Sequence, residues 1–258
     1  MLEPLARLGY ASKAIVYAIV GVLAILTVLN RGGRVTDTSG ALRVVLTQPF
    51  GRTLMIVLVI GLCGYAVWRL LDAISDPDHD GTGARGLIIR VGNAIRGCVY
   101  GALGLEGIQL LRGRASGGDA ETWTARILDF PFGALAVGLA GIAVAIYGLS
   151  ELIESLRGKH DEKLDWSPVR SDVRPAIQHI SRFGVGVRGI LIATFGLFLL
   201  RAALTHDPNQ AAGTRESLLR LGGLVDGRWF LGLIAAGVLA YAVDQAVHAR
   251  CRRIRSPV

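Results

Sequence analysis

Apolar residues in this chain come in long runs, separated by short stretches rich in Arg, Asp, Gly and Pro. Six runs, approximately Tyr10–Leu29, Leu54–Leu71, Ala94–Leu111, Phe132–Ile153, Val187–Leu204 and Trp229–Val247, come close to the ~20 residues a helix needs to cross a bilayer. No run alternates apolar and polar positions with period two, and a backbone in lipid must satisfy its amides within its own helix. The pattern predicts an all-α integral membrane fold of six transmembrane helices, forming a single membrane domain over residues 1–258. Shorter segments, Ser39–Thr47, Ala120–Leu128 and Gly213–Leu221, precede the second, fourth and sixth runs. In the first of them Leu42, Val45 and Leu46 share one helical face and Arg43 takes another, the pattern of a helix lying in the outer interface.

Composition supports this class. Hydrophobic residues make up 52% of the chain and charged residues 19%, where soluble domains carry about 25% charged, and mean hydropathy is +0.47. The 34 glycines would weaken soluble helices but allow close helix approach in lipid. A net charge of +8 would suit nucleic acid if the basic residues formed a block. They are instead dealt out between the apolar runs, as membrane loops require, and no nucleic-acid partner is expected. With both termini inside, 17 of the 28 basic residues fall on the cytoplasmic side, so the positive-inside bias predicts cytoplasmic N- and C-termini. Only Lys13, Lys159 and Lys163 are lysines, a bias that points to a GC-rich bacterial genome and hence a bacterial plasma (inner) membrane. The run Ala14–Leu29 follows Arg7 and Lys13 as a signal sequence would, but ends at Asn30-Arg31 with no small-x-small cleavage site, so it reads as a retained span. Cys63, Cys98 and Cys251 have no metal-binding spacing and read as small buried hydrophobes.

Comparing the chain with itself is more informative. The odd runs open RLGYASKAIVYAIVG (from Arg7), RVGNAIRGCVYGALG (from Arg90) and RFGVGVRGILIATFG (from Arg182). Four columns match at identical offsets: Arg7, Arg90 and Arg182; Gly9, Gly92 and Gly184; Lys13, Arg96 and Arg188; Gly21, Gly104 and Gly196. Before the even runs, QPFGR (Gln48–Arg52) is answered by FPFGA (Phe130–Ala134) and, more weakly, by LVDGR (Leu224–Arg228), each followed by a tyrosine at Tyr65, Tyr147 and Tyr241. The unit has two spans, so the copies, approximately 5–76, 88–158 and 180–252, share one orientation. This predicts three parallel two-helix repeats around a pseudo-threefold axis along the membrane normal. The pattern RLGYASKAIVYAIVG, followed by Gly40–Leu42, QPFGR and GYAVWRLLDA (Gly64–Ala73), resembles a bacterial membrane family catalogued as domain of unknown function 1206, in which a two-helix unit occurs three times. The resemblance implies a six-helix inner-membrane protein and carries no activity with it.

Three sets of residues carry candidate chemistry. Lys13, Arg96 and Arg188 are placed at the inner ends of the odd spans. Arg69, Asp72, Glu151, Glu154 and Asp244, with Gln245 and His248, fall at the inner ends of the even ones. Together they form a candidate inner charge ring whose pairing would offset the cost of charge near hydrocarbon. Glu106, with Gln109 one turn on, is a candidate intramembrane polar site; its repeat counterparts are Leu23 and Phe198, so the repeat does not demand it. The repeat tyrosines Tyr65, Tyr147 and Tyr241, with Tyr17 and Tyr100, are candidates for packing and interhelical hydrogen bonds. The glycines Gly97, Gly101 and Gly104, and Gly133, Gly138 and Gly141, predict tight helix crossings. The acidic loop Ser75–Gly81 lacks the trailing Glu of a calcium loop, and phosphate loops, zinc motifs and nucleophile elbows are absent from the sequence. No metal, cofactor or enzymatic activity is expected. The reading is a non-catalytic accessory or scaffold protein whose partners are membrane lipid and another membrane protein; the alternative is a transporter of a small solute or ion along the repeat axis.

Overall fold

Backbone amides in lipid have no partner outside their own helix, and in the computed structural model every long apolar run is helical. The structure describes residues 2–31, 36–75, 83–114, 120–158, 164–211 and 227–252. Among these are eight α-helices: α1 (Leu2–Val28), α2 (Thr38–Leu46), α3 (Gly51–Ser75), α4 (Ala84–Leu111), α5 (Ala120–Leu128), α6 (Gly133–Arg157), α7 (Arg174–Thr205) and α8 (Gly227–Cys251). A 3-10 turn covers Pro208–Gln210. Most of the loop Ser75–Gly81, the segment Gly213–Leu221 and most of Leu224–Arg228 lie outside the described residues.

Five helices, α1, α3, α6, α7 and α8, are long and apolar enough to cross a membrane. The third of the long helices in chain order behaves differently from expectation: α4 is 28 residues long, but Arg90, Arg96, Glu106 and Gln109 leave it outside that set. The odd helices also start well before their apolar cores, because polar opening turns still hydrogen-bond as helix. Lys13 thus lies about 17 Å along α1 from its first residue, by the 1.5 Å rise per residue, and the odd-helix cations are interior to their helices rather than at the ends.

The six long helices follow one another in space in the order α1, α3, α4, α6, α7, α8, and α8 returns to α1. Three of the four repeat columns explain this order. The column-one arginines cap the C-terminus of a neighbouring helix, where unpaired carbonyls and the negative dipole end welcome a cation. Arg7 donates to Ala249 O (3.0 Å) and Arg250 O (2.8 Å) on α8, and Arg90 donates to Ala73 O (2.8 Å) and Ile74 O (3.3 Å) on α3. Arg182 lies against Gly158 at the end of α6, and its carbonyl accepts from the Ser155 hydroxyl (2.6 Å). In the second column, a methyl group on Gly9, Gly92 or Gly184 would run into Tyr65, Tyr147 or Tyr241, the tyrosine of its own repeat. In the last column, a methyl on Gly21, Gly104 or Gly196 would meet Leu239, Cys63 or Ala145, each two residues before the tyrosine of another repeat. Each odd helix therefore uses one glycine to approach its own partner and another to approach the next repeat.

The predicted tight crossings form between repeats: Gly97, Gly101 and Gly104 face Leu70, Ala66 and Cys63 on α3, while Gly138 and Gly141 face Ala203 and Leu200 on α7. Gly133 is the exception. It and Gly51 open α6 and α3 directly after Phe132 (φ 67°) and Phe50 (φ 61°), and a Cβ on either would strike carbonyls at the end of the preceding short helix. The Pro-Phe-Gly motif is thus a tight turn that folds α2 back onto α3 and α5 onto α6. Ala41, Leu42 and Val45 of α2 are buried while Arg43 is exposed, as the amphipathic pattern requires. The expectation of buried cysteines fails for Cys98, which is exposed: an apolar stretch has the same composition whether it faces protein or lipid. Of the loop before α7, Leu164 and Trp166 cover Cys251 at the end of α8, and Asp165 N donates to Cys251 O (2.7 Å).

Because Gly184 abuts the backbone of Ala240 and Tyr241, Gly184→Ala is expected to cost about 1–3 kcal/mol, as overpacking does. Gly101, where an added Cβ would make only an ordinary contact with Ala66 (3.6 Å), is the control: thermal unfolding in detergent should drop for Gly184→Ala and not for Gly101→Ala.

Candidate functional site

The remaining column places one cation of each odd helix over the tyrosine ring of the even helix in the same repeat. Lys13 Nζ is 4.3 Å from the Tyr65 centroid, the Arg96 guanidinium 4.9 Å from Tyr147, and that of Arg188 4.8 Å from Tyr241. A desolvated cation–π contact contributes about 2 kcal/mol, against roughly 2.5–3.5 kcal/mol for a charge at the centre of a membrane helix. One ring therefore does not cover the cost, and each cation has further partners.

Lys13 is 2% exposed. It donates to the Tyr65 hydroxyl (3.1 Å), and the rings of Tyr100 (4.6 Å), Tyr10 (5.4 Å) and Tyr241 (5.8 Å) surround it. Among the described residues it forms no ion pair. Arg69 donates to the hydroxyls of Tyr10 (2.8 Å) and Tyr65 (2.9 Å), to Asn93 Oδ1 (3.0 Å) and to Asp72 Oδ2 (3.0 Å). Its guanidinium also lies over the Trp68 ring (4.3 Å). Arg96 donates to Glu151 Oε1 (2.8 Å) and Asn93 Oδ1 (3.2 Å), and the other oxygen of Glu151 takes Arg188. The Tyr147 hydroxyl donates to Glu151 as well. One carboxylate on α6 thus joins cations from α4 and α7. Tyr17 closes the group through a hydroxyl contact with Tyr100 (2.9 Å) and an edge contact with Tyr241 (4.8 Å between centroids). All six tyrosines of the chain take part.

Of the predicted charge ring, the structure brings together Lys13, Arg69, Asp72, Arg96, Glu151 and Arg188. Asp244 is buried beside them but is turned to Gln245 (2.7 Å) and His248 (3.5 Å), and the His248 ring reaches the cluster through Tyr10 (5.3 Å). Glu154 makes no side-chain hydrogen bond or ion pair among the described residues; one turn beyond Glu151 on α6, it is only half buried. Glu106 and Gln109 stay apart from the cluster. Glu106 accepts from Ser39 (2.6 Å) and so ties α4 to the first turn of α2. Tyr10, Trp68 and Asn93 went unnoticed in the sequence. Tyr10 and Asn93 do share a repeat column, three residues before the cation, but the third copy holds Val185 there and the polar signal is lost.

Fold and cluster together define a multi-pass α-helical membrane protein with a charged, tyrosine-lined interior. Within that class the chain belongs to the family described as Domain of Unknown Function (DUF1206), whose sequence profile matches residues 8–76, 91–158 and 183–252. It is similar to the uncharacterized protein YxxB of Bacillus subtilis (strain 168), 32% identical over 238 residues that cover 92% of this chain and 86% of that relative. No solved structure matches.

Removing one partner of a buried ion pair leaves an uncompensated charge and costs about 3–5 kcal/mol. Glu151→Gln, which strands Arg96 and Arg188, is expected to lose that much stability in detergent unfolding. Glu154→Gln should stay within about 0.5 kcal/mol of wild type, as surface changes do.

Proposed function

We propose that this chain is a six-span protein of the bacterial plasma membrane, with three parallel repeats around a pseudo-threefold axis and both termini cytoplasmic. It acts without catalysis, as an accessory or scaffold, through contacts with lipid and with a membrane-protein partner. The observation that carries this reading is the interior: four tyrosine rings enclose Lys13, and the neighbouring cations are held by groups of the same chain. A path for solute along the axis needs polar groups that face water, whereas these face one another. In support of six spans, α4 sits between α3 and α6 in the ring, and its 28 residues extend about 42 Å at 1.5 Å per residue, longer than a hydrocarbon core of about 30 Å. Arg96 turns to Tyr147 and Glu151, Arg90 to α3 and Glu106 to α2.

The alternative, a solute or ion transporter, makes the opposite prediction for water access. Val16 and Val20 are buried on α1 one and two turns beyond Lys13, and cysteine is close to valine in size. Val16→Cys and Val20→Cys, in a background lacking Cys63, Cys98 and Cys251, should resist a water-soluble thiol reagent in intact membranes, while a control cysteine at exposed Arg114, in the outer loop after α4, reacts. Rapid labelling at 16 or 20, blocked by a candidate solute, would replace the scaffold reading with the transporter.

A further inference from the structure

We propose that Arg96 and Arg188, with Lys13 across the shared Tyr241 ring, form a site for the phosphate group of an anionic phospholipid that enters sideways between α4 and α6. This rests on the chain being a membrane-embedded protein that works by contact, and names lipid phosphate as the chemistry it contacts.

The first observation is charge. Four cations, Lys13, Arg69, Arg96 and Arg188, are linked to one another by hydrogen bonds and ring contacts, and two carboxylates, Asp72 and Glu151, are bonded into the same group. Counting Asp244 as a third carboxylate leaves the excess positive, and Arg252, over the rings of Tyr10 and Trp68 (5.6 and 5.0 Å), increases it. Excess positive charge in a low-dielectric interior is costly unless an anion joins it.

The second is an orphan donor. Arg188 Nε is buried with no hydrogen-bond partner among the described residues, and an unmade bond from a buried charged group carries its full desolvation cost. A guanidinium whose Nη1 holds Glu151 while Nε remains open has a donor left for a second oxyanion.

The third is access. Within repeats one and three, α1 packs along α3 and α7 along α8, but α4 and α6 meet sparsely, and their contacts include Gly92 with Tyr147 and Arg96 with Glu151. This sparsely packed seam lies between two neighbouring helices of the ring, so a ligand reaches it from the side. The exposures agree: the Arg96 side chain is 23% exposed, against 11% for Arg188 and 5% for Arg69. Val99, one turn along α4, is 56% exposed and offers an apolar flank for an acyl chain.

Depth fits as well. Arg90 is level with the end of α3, which it caps, and Arg96 lies about 9 Å further along α4 at 1.5 Å per residue. The headgroup layer is about 5–7 Å thick on each side of the core, so with the end of α3 at the membrane surface Arg96 would lie a few ångströms below that layer, a depth that a snorkelling side chain spans.

The test uses the purified full chain in a mild delipidating detergent, titrated with phosphatidylglycerol or phosphatidylcholine and read by native mass spectrometry. Both lipids present the same phosphodiester, so the expected preference for phosphatidylglycerol, about tenfold, comes from the choline cation of phosphatidylcholine, which the excess positive charge of the cluster repels. Arg96→Gln should reduce that preference severalfold. Because this substitution also touches Glu151, Val99→Trp, which fills the seam from its exposed flank, is measured beside it and should weaken phosphatidylglycerol retention with an unchanged melting temperature. Glycerol phosphate should not compete; competition at equal concentration would make the ligand free phosphate and overturn the sideways route. Equal retention of both lipids, or full preference in the Val99→Trp protein, would overturn the site altogether. None of these outcomes bears on thiol access at positions 16 and 20, so the scaffold reading stands or falls separately.

Discussion

A charge placed inside a bilayer must bring its own counter-groups, and this fold is organised around that requirement. Each repeat supplies one cation from its odd helix and one tyrosine from its even helix, and the tyrosine ring is the first thing the cation meets. The glycine one turn before the cation exists because the tyrosine needs space: with a side chain at Gly9, Gly92 or Gly184 the two helices could not close on the ring. The charge, the ring and the small residue are a single device used three times.

The copies then diverge in how they balance the charge. In the second repeat, four residues beyond the tyrosine, stands Glu151, which serves cations from two repeats at once. The same position holds Arg69 in the first repeat and Gln245 in the third, so the first copy adds a cation and recruits Asp72 and Asn93 to hold it. Lys13 is left to rings and a hydroxyl. A three-carbon stem ending in a fork suits a carboxylate, whereas a compact ammonium suits an aromatic box, and lysine stands where no acid pairs with the cation. Recurrence of cation, ring and glycine and asymmetry of charge therefore coexist in one cluster.

Much of this was legible in the sequence. Apolar run lengths locate the helices, and three-fold recurrence of Arg, Gly, Lys or Arg, and Gly at fixed offsets marks the contacts that matter. What those columns touch was not legible, since an offset says nothing about which neighbour lies across the groove. Arg7 reads as a positive-inside charge until it is seen on the last carbonyls of α8. The helices start earlier than the apolar runs, because hydropathy detects the lipid-facing core and is blind to polar turns that remain helical. Lys13, Arg96 and Arg188, expected at the inner ends of the odd spans, therefore stand about three to four turns into helices that begin earlier. Glu106 drew notice as a carboxylate in a span, yet its hydroxyl partner, Ser39, comes from a short helix on a different segment, a pairing that no local pattern encodes.

The seam between α8 and α1 has no peptide linking its two helices, yet it is made of the same parts as the linked seams: an arginine on the last carbonyls of a neighbour and a glycine against its flank. Connectivity is thus not what shuts the ring. The spatial order repeats the covalent order and then closes a sixth seam that the chain itself does not link. Tandem fusion contributes something else: it lets one position hold arginine, glutamate and glutamine in three places at once, a heterogeneity that three identical two-helix chains could never possess.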